Sequence, residues 1–158
     1  MKIKRIITSG LIAGSTRFLI GSILYLSSWV PELYQEYERN LGYRYLNNLS
    51  GSGTWLGLIL IGDWVLAIFM AILYSYARKG LSGFSKWTRG ILFGFSVWLI
   101  TNVPASYHAW LIYEYPNTPH IIVEIFDGFL INIISGVVLV IAYEEWRQLA
   151  YYAHTVRG

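Results

Sequence analysis

A chain of 158 residues, 55% hydrophobic and only 13% charged, with a mean hydropathy of +0.45, has the profile of a membrane protein rather than of a soluble domain. The formal net charge of +3 resides in loops and at the termini with no basic run, which argues against a nucleic-acid partner. The chain has 0 cysteines, which excludes disulfide exchange, thiolate catalysis, thioether-linked haem and cysteine-ligated clusters.

The first apolar run covers about 6–30 and follows Lys2, Lys4 and Arg5. It is too long for the apolar segment of a signal peptide and carries Arg17, so a retained span is expected. Gly10, Gly14, Arg17 and Gly21 fall on one stripe of this helix. At 1.5 Å per residue Arg17 lies ~16 Å into the run, too deep for easy snorkelling. In the linker that follows, Leu33, Tyr34, Tyr37 and Leu41 recur at helical spacing among acidic residues. This predicts a short amphipathic outer-surface helix over about 32–46.

The second run covers 54–77 and contains Asp63; Arg78, Lys79, Lys86 and Arg89 come next. The third, 90–112, carries Gly90, Gly94, Asn102, Pro104 and His108. A short Pro-marked link, Tyr115 to Pro119, leads to the fourth run, 120–143, with a polar stripe of Glu124, Gly128, Asn132 and Gly136 and with Asp127 on the same broad face. Each run exceeds the roughly 20 residues that cross a bilayer core. Trp29, Trp55, Trp87, Trp110 and Trp146 fall near run ends, where interfacial indoles belong. The expected fold is all-α: a polytopic membrane protein of one domain, 1–158, with four transmembrane helices arranged as two tandem helical hairpins. Basic residues concentrate at both termini and between the second and third runs, so the positive-inside rule predicts cytoplasmic termini.

Ser9 to Ser22 and Arg89 to Asn102 share glycines at matching positions, and Ile61-Gly-Asp63 parallels Ile125-Phe-Asp127. These matches predict a tandem duplication in which Asp127 corresponds to Asp63. Small residues on a stripe let helices approach closely, so the first and third spans are expected to cross at Gly10, Gly14, Gly21, Gly90 and Gly94.

An ionisable group inside a bilayer needs a partner and is a functional-site hypothesis by default. Arg17 and Asp63 match in depth and form the expected intramembrane ion pair. That leaves Asp127 and Glu124, with Asn102 and Asn132, as candidates for an outward-facing ligand or ion site. His108 and His120 are weak metal candidates because nothing has ligand spacing such as HExxH. No metal or cofactor is expected, whereas bound lipid is. No nucleophile elbow, P-loop or dinucleotide fingerprint occurs.

The two hairpins, the glycine-rich first span and the short turn before the last resemble small bacterial four-span membrane proteins of unknown function. The resemblance implies a fold and a bacterial inner membrane, and it carries over no active site. MAPEG enzymes are similar in size and span number, but their arginine-rich glutathione site has no counterpart here. The leading functional expectation is a non-catalytic accessory or assembly subunit of a larger inner-membrane complex, held by other membrane subunits or by self-association. A small transporter or ligand-binding protein is the alternative, and a membrane enzyme acting on a lipid, with Glu124 or Asp127 as base, is the third.

Overall fold

A computed structural model describes residues 2–26, 54–112 and 118–155, with side chains at 3–24, 56–112 and 121–145. The described chain is all-helical: α1 is Lys2–Leu26, α2 Thr54–Ala77, α3 Lys86–Ile112 and α4 Thr118–Thr155. Each contains a stretch long and apolar enough to cross a membrane: Ile3–Leu24, Leu56–Ala77, Lys86–Ile112 and Ile121–Glu145. Helices suit these apolar runs because every backbone donor and acceptor is satisfied within the segment. The amphipathic segment expected over about 32–46 lies outside the described residues.

α4 runs past the expected end at 143 to Thr155. Its 38 residues make a rod of about 57 Å, nearly twice the hydrocarbon thickness, so part of it stands clear of the bilayer core. α3 continues through Pro104, whose ring leaves the Ile100 carbonyl without its helical donor. Between α2 and α3, residues 78–85 turn tightly, with Gly80 N donating to Ala77 O at 3.0 Å and Phe84 N to Leu81 O at 3.2 Å. Ser85 then caps α3: its hydroxyl accepts the Thr88 amide at 3.2 Å.

The glycines decide how the helices meet. A Cβ at Gly10 would stand 2.6 Å from Ile68 Cα, and one at Gly14 would stand 2.8 Å from Trp64 Cα. α1 therefore packs backbone to backbone against antiparallel α2. In the same way Gly90 abuts Val137 Cα at 2.5 Å and Gly94 abuts Ile133 Cα at 2.9 Å, joining α3 to α4. The expected crossing of the first and third spans does not occur: both glycine pairs serve contacts inside their own hairpin, and α3 packs on α4, not on α1. Among the described residues Gly21 has only the tip of Ile131 near it, at 3.8 Å, and makes no close crossing with them. α1 also packs on α4, so these two helices join the hairpins.

The interior mixes alanines (Ala13, Ala67, Ala71) and aromatics (Phe93, Tyr74, Tyr143) with Met70, Val97, Leu139 and Val140. The outside is apolar too, with Leu58, Val65, Phe69, Ile100 and Ile122 exposed. Lipid tails are as apolar as leucine, so burying leucine stabilises such a bundle little. Close packing and interhelical hydrogen bonds hold it instead.

Candidate functional site

Every helix contributes at least one polar side chain to a single hydrogen-bonded chain across the bundle. Arg17 projects from the inward stripe of α1, and its Nε stands 3.3 Å from Asp63 Oδ1 of α2. Its Nη1 donates to Asn132 Oδ1 of α4 at 2.9 Å, with Ser135 Oγ farther off at 3.5 Å. Asn132 Nδ2 donates in turn to Asn102 Oδ1 of α3 at 2.9 Å and to Gly128 O at 2.7 Å. Thr101 Oγ1 reaches Asn102 Oδ1 at 3.2 Å. The direction of the chain follows from Arg17. A guanidinium can only donate, so Asn132 must turn its carbonyl to Arg17, which leaves its amide nitrogen for Asn102.

The chain is well shielded. Asn132 and Ser135 are buried, and the Arg17 and Asp63 side chains keep only 10% and 20% of their exposure. A guanidinium in such surroundings is tolerable only because a carboxylate and an amide carbonyl share its charge. Neighbouring indoles fasten the same depth. Trp64 Nε1 donates to Ser15 Oγ at 3.0 Å between α1 and α2, and Trp98 Nε1 donates to Ile125 O at 2.9 Å between α3 and α4.

The residues singled out from sequence divide between different surroundings. Arg17, Asp63, Asn102 and Asn132 come together. Asp127 is buried on α4, on the helical face it shares with Ile131, whose side chain lies against Gly21 of α1. Glu124 is exposed and Asn102 half-buried. His108 is exposed, and His120 lies on the first turn of α4, its side chain outside the described set. Among the described residues no group of three or more His, Cys, Asp or Glu could hold a metal ion.

The contact register also changes which residues correspond between the hairpins. The Asp63 carbonyl lies against Gly14, and the Asn132 carbonyl lies against Gly94. Trp64 and Ile68 stand opposite the first glycine pair as Ile133 and Val137 stand opposite the second. By these contacts Asn132 is the counterpart of Asp63. Asp127, the counterpart expected from sequence, lies more than a helical turn away.

A second cluster escaped the sequence reading. It lies at the turn end of the bundle, where α1 begins, α2 ends and α3 starts. Tyr74 and Tyr143 are fully buried, edge to face, with ring centroids 5.3 Å apart. Arg5 Nη2 donates to Tyr143 Oη at 2.7 Å, its guanidinium 4.1 Å from the ring centroid. Tyr74 Oη donates to Glu144 Oε1 at 3.2 Å, and Arg89 Nη1 lies 3.6 Å from the same oxygen. Arg5 and Arg89 read as ordinary loop cations, and the fourth run was ended one residue before Glu144. The signal that could have found the cluster is the inward stripe of α4, Asn132, Ser135, Leu139 and Tyr143, which keeps helical spacing right up to that end and turns Tyr143 inward.

A fold of four membrane-length helices tied by a buried polar chain defines an integral membrane protein of the polytopic helical class. Comparison with protein-family models, curated proteins and solved structures finds no match to this chain.

Proposed function

We propose that this protein is a non-catalytic accessory or assembly subunit of a larger membrane complex. The observation that carries the proposal is the closure of the mid-depth chain. Arg17 donates to Asp63 and Asn132, and Asn132 donates to Asn102, so these four side chains are engaged with one another. The exposed apolar side chains on all four helices support the same reading, since such a surface serves neighbouring subunits as well as lipid. The basic turn end and the positive-inside rule support cytoplasmic termini, and the resemblance noted above supports a bacterial inner membrane.

We further propose that the hairpins descend from one duplicated unit. The two glycine crossings support this, as does spacing: Tyr74 follows Asp63 by eleven residues, and Tyr143 follows Asn132 by eleven. On that register Val97 stands where Arg17 does, so a single arginine serves both copies of its partner position.

The test is crosslinking in native membranes, followed by mild purification and identification of bound membrane proteins. A defined stoichiometric partner is expected. Recovery of the chain alone, together with saturable substrate uptake by vesicles that contain nothing else, would favour the transporter reading and overturn this one.

A further inference from the structure

The turn-end cluster contains buried donors that no described group accepts from. Arg5 Nε, Ser75 Oγ and Arg78 Nη1 are buried and have no hydrogen-bond partner among the described residues. Ser75 lies on the last turn of α2 beside Tyr74, and Arg78 directly follows the helix, its amide still donating to Tyr74 O at 2.9 Å. Arg5 lies at the ring of Tyr143, which Tyr74 contacts. A buried donor left unsatisfied is costly, and a charged one more so.

Charge points the same way. The described side chains at this end include six cations, Lys4, Arg5, Arg78, Lys79, Lys86 and Arg89, against two carboxylates, Glu144 and Glu145. Glu144 is already engaged by Tyr74 and Arg89. An acceptor brought here should therefore be anionic and offer several oxygens. Guanidinium groups suit phosphate because their planar fork matches its oxygens. The position also fits. α2 ends at Ala77 and α3 begins at Lys86, so the cluster lies where membrane spans meet the headgroup layer. Tyr76, Phe84 and Trp87 are exposed beside it, as side chains at that level often are.

We propose that the turn end binds a phosphate group, with Arg5, Arg78 and the Ser75 hydroxyl as donors. Two sources share that chemistry: the headgroup of an anionic phospholipid and free phosphate. The lipid places its phosphate at this depth without further cost.

The full chain, purified in mild detergent, is examined by native mass spectrometry with added phosphatidylglycerol or phosphatidylcholine, and by thermal unfolding with inorganic phosphate. Wild-type protein is expected to retain phosphatidylglycerol in preference to phosphatidylcholine. The paired variant Arg5→Gln/Arg78→Gln should lower that retention by about tenfold or more, as loss of charge-assisted hydrogen bonds implies. The paired variant Lys4→Gln/Lys79→Gln removes as much charge from exposed positions and should change it little. A rise in Tm with inorganic phosphate and no lipid preference assigns the site to the free ion. An equal loss in both paired variants means diffuse attraction and overturns the proposal. If the arginine variant does not fold, wild-type protein decides: no lipid preference and no Tm shift with phosphate overturn it.

Discussion

Two arginine-centred clusters tie these helices together at two depths, and they differ in how their donors are used. At mid-depth Arg17 is held by Asp63 and Asn132, and the chain continues to Asn102. At the turn end Arg5 meets Tyr143 and Arg89 meets Glu144, while Arg5 Nε and Arg78 Nη1 have no described acceptor. The difference follows from solvent. In hydrocarbon a spare donor has nothing to bond, so a viable sequence must close the network within the protein. At the membrane surface water and headgroups supply acceptors, so arginines there can stay partly open. The deep cluster therefore reads as a fastening and the shallow one as a place for something else to bind.

The largest effect that tests this contrast is on Arg17. Arg17→Leu strands Asp63 and removes the donor to Asn132, so a loss of about 3–5 kcal/mol is expected, as for breaking a buried ion pair. The paired change Arg17→Leu/Asp63→Leu removes both charges and should regain most of that loss. Unfolding in mixed micelles, followed by loss of helical circular dichroism, measures both. A stable single variant that the second change does not improve would show that the pair is not a fastening.

Asn132 comes next. Asn132→Leu removes the acceptor of Arg17 and the donor to Asn102 while keeping side-chain volume, with an expected cost of about 2 kcal/mol. The loss should fall on the two helices that Asn132 bonds to, α1 and α3. Hydrogen exchange should rise along α3 near Asn102 and along α1 near Arg17; a change confined to α4 would mean that the chain does not couple the helices.

The helices could be found from sequence because each is a long apolar run, and Arg17 with Asp63 because equal depth in a bilayer narrows the choice of partner. Which helix the glycines meet could not be found that way. Periodicity shows the face that Gly10 and Gly14 share but not the neighbour that fills it, and the neighbour is α2. The match of Asp127 to Asp63 rested on a short apolar pattern that recurs easily in membrane helices. The contacts pair other residues: Gly94 meets the Asn132 carbonyl as Gly14 meets that of Asp63. Glu144 was missed because the apolar run was taken to end just before it, although α4 continues with Tyr143 and Glu144 both buried.

Tyr143→Phe probes the shallow cluster and should cost less. The ring, its contact with Tyr74 and its place beneath Arg5 all remain; only the hydroxyl that accepts from Arg5 Nη2 is lost. Water or a headgroup can replace that acceptor near the surface, so about 1 kcal/mol is expected, below the ~1.5–3 of a hydrogen bond to a charged group with no substitute. A loss as large as that of Arg17→Leu, in the same unfolding assay, would mean that this cluster is as closed as the deep one.

The smallest effect is expected one turn beyond Arg17, at Gly21. It shares the stripe of Gly10 and Gly14, yet among the described residues the only side chain near an added Cβ is Ile131, at an ordinary contact distance of 3.8 Å. Gly21→Ala therefore meets no backbone, and alanine favours the helix by up to about 1 kcal/mol over glycine. Unfolding should show no loss and a gain within that range. A loss of 1 kcal/mol or more would mean that α1 and α4 lie closer beyond Arg17 than at Arg17 itself, and the polar chain would then not be what sets their separation.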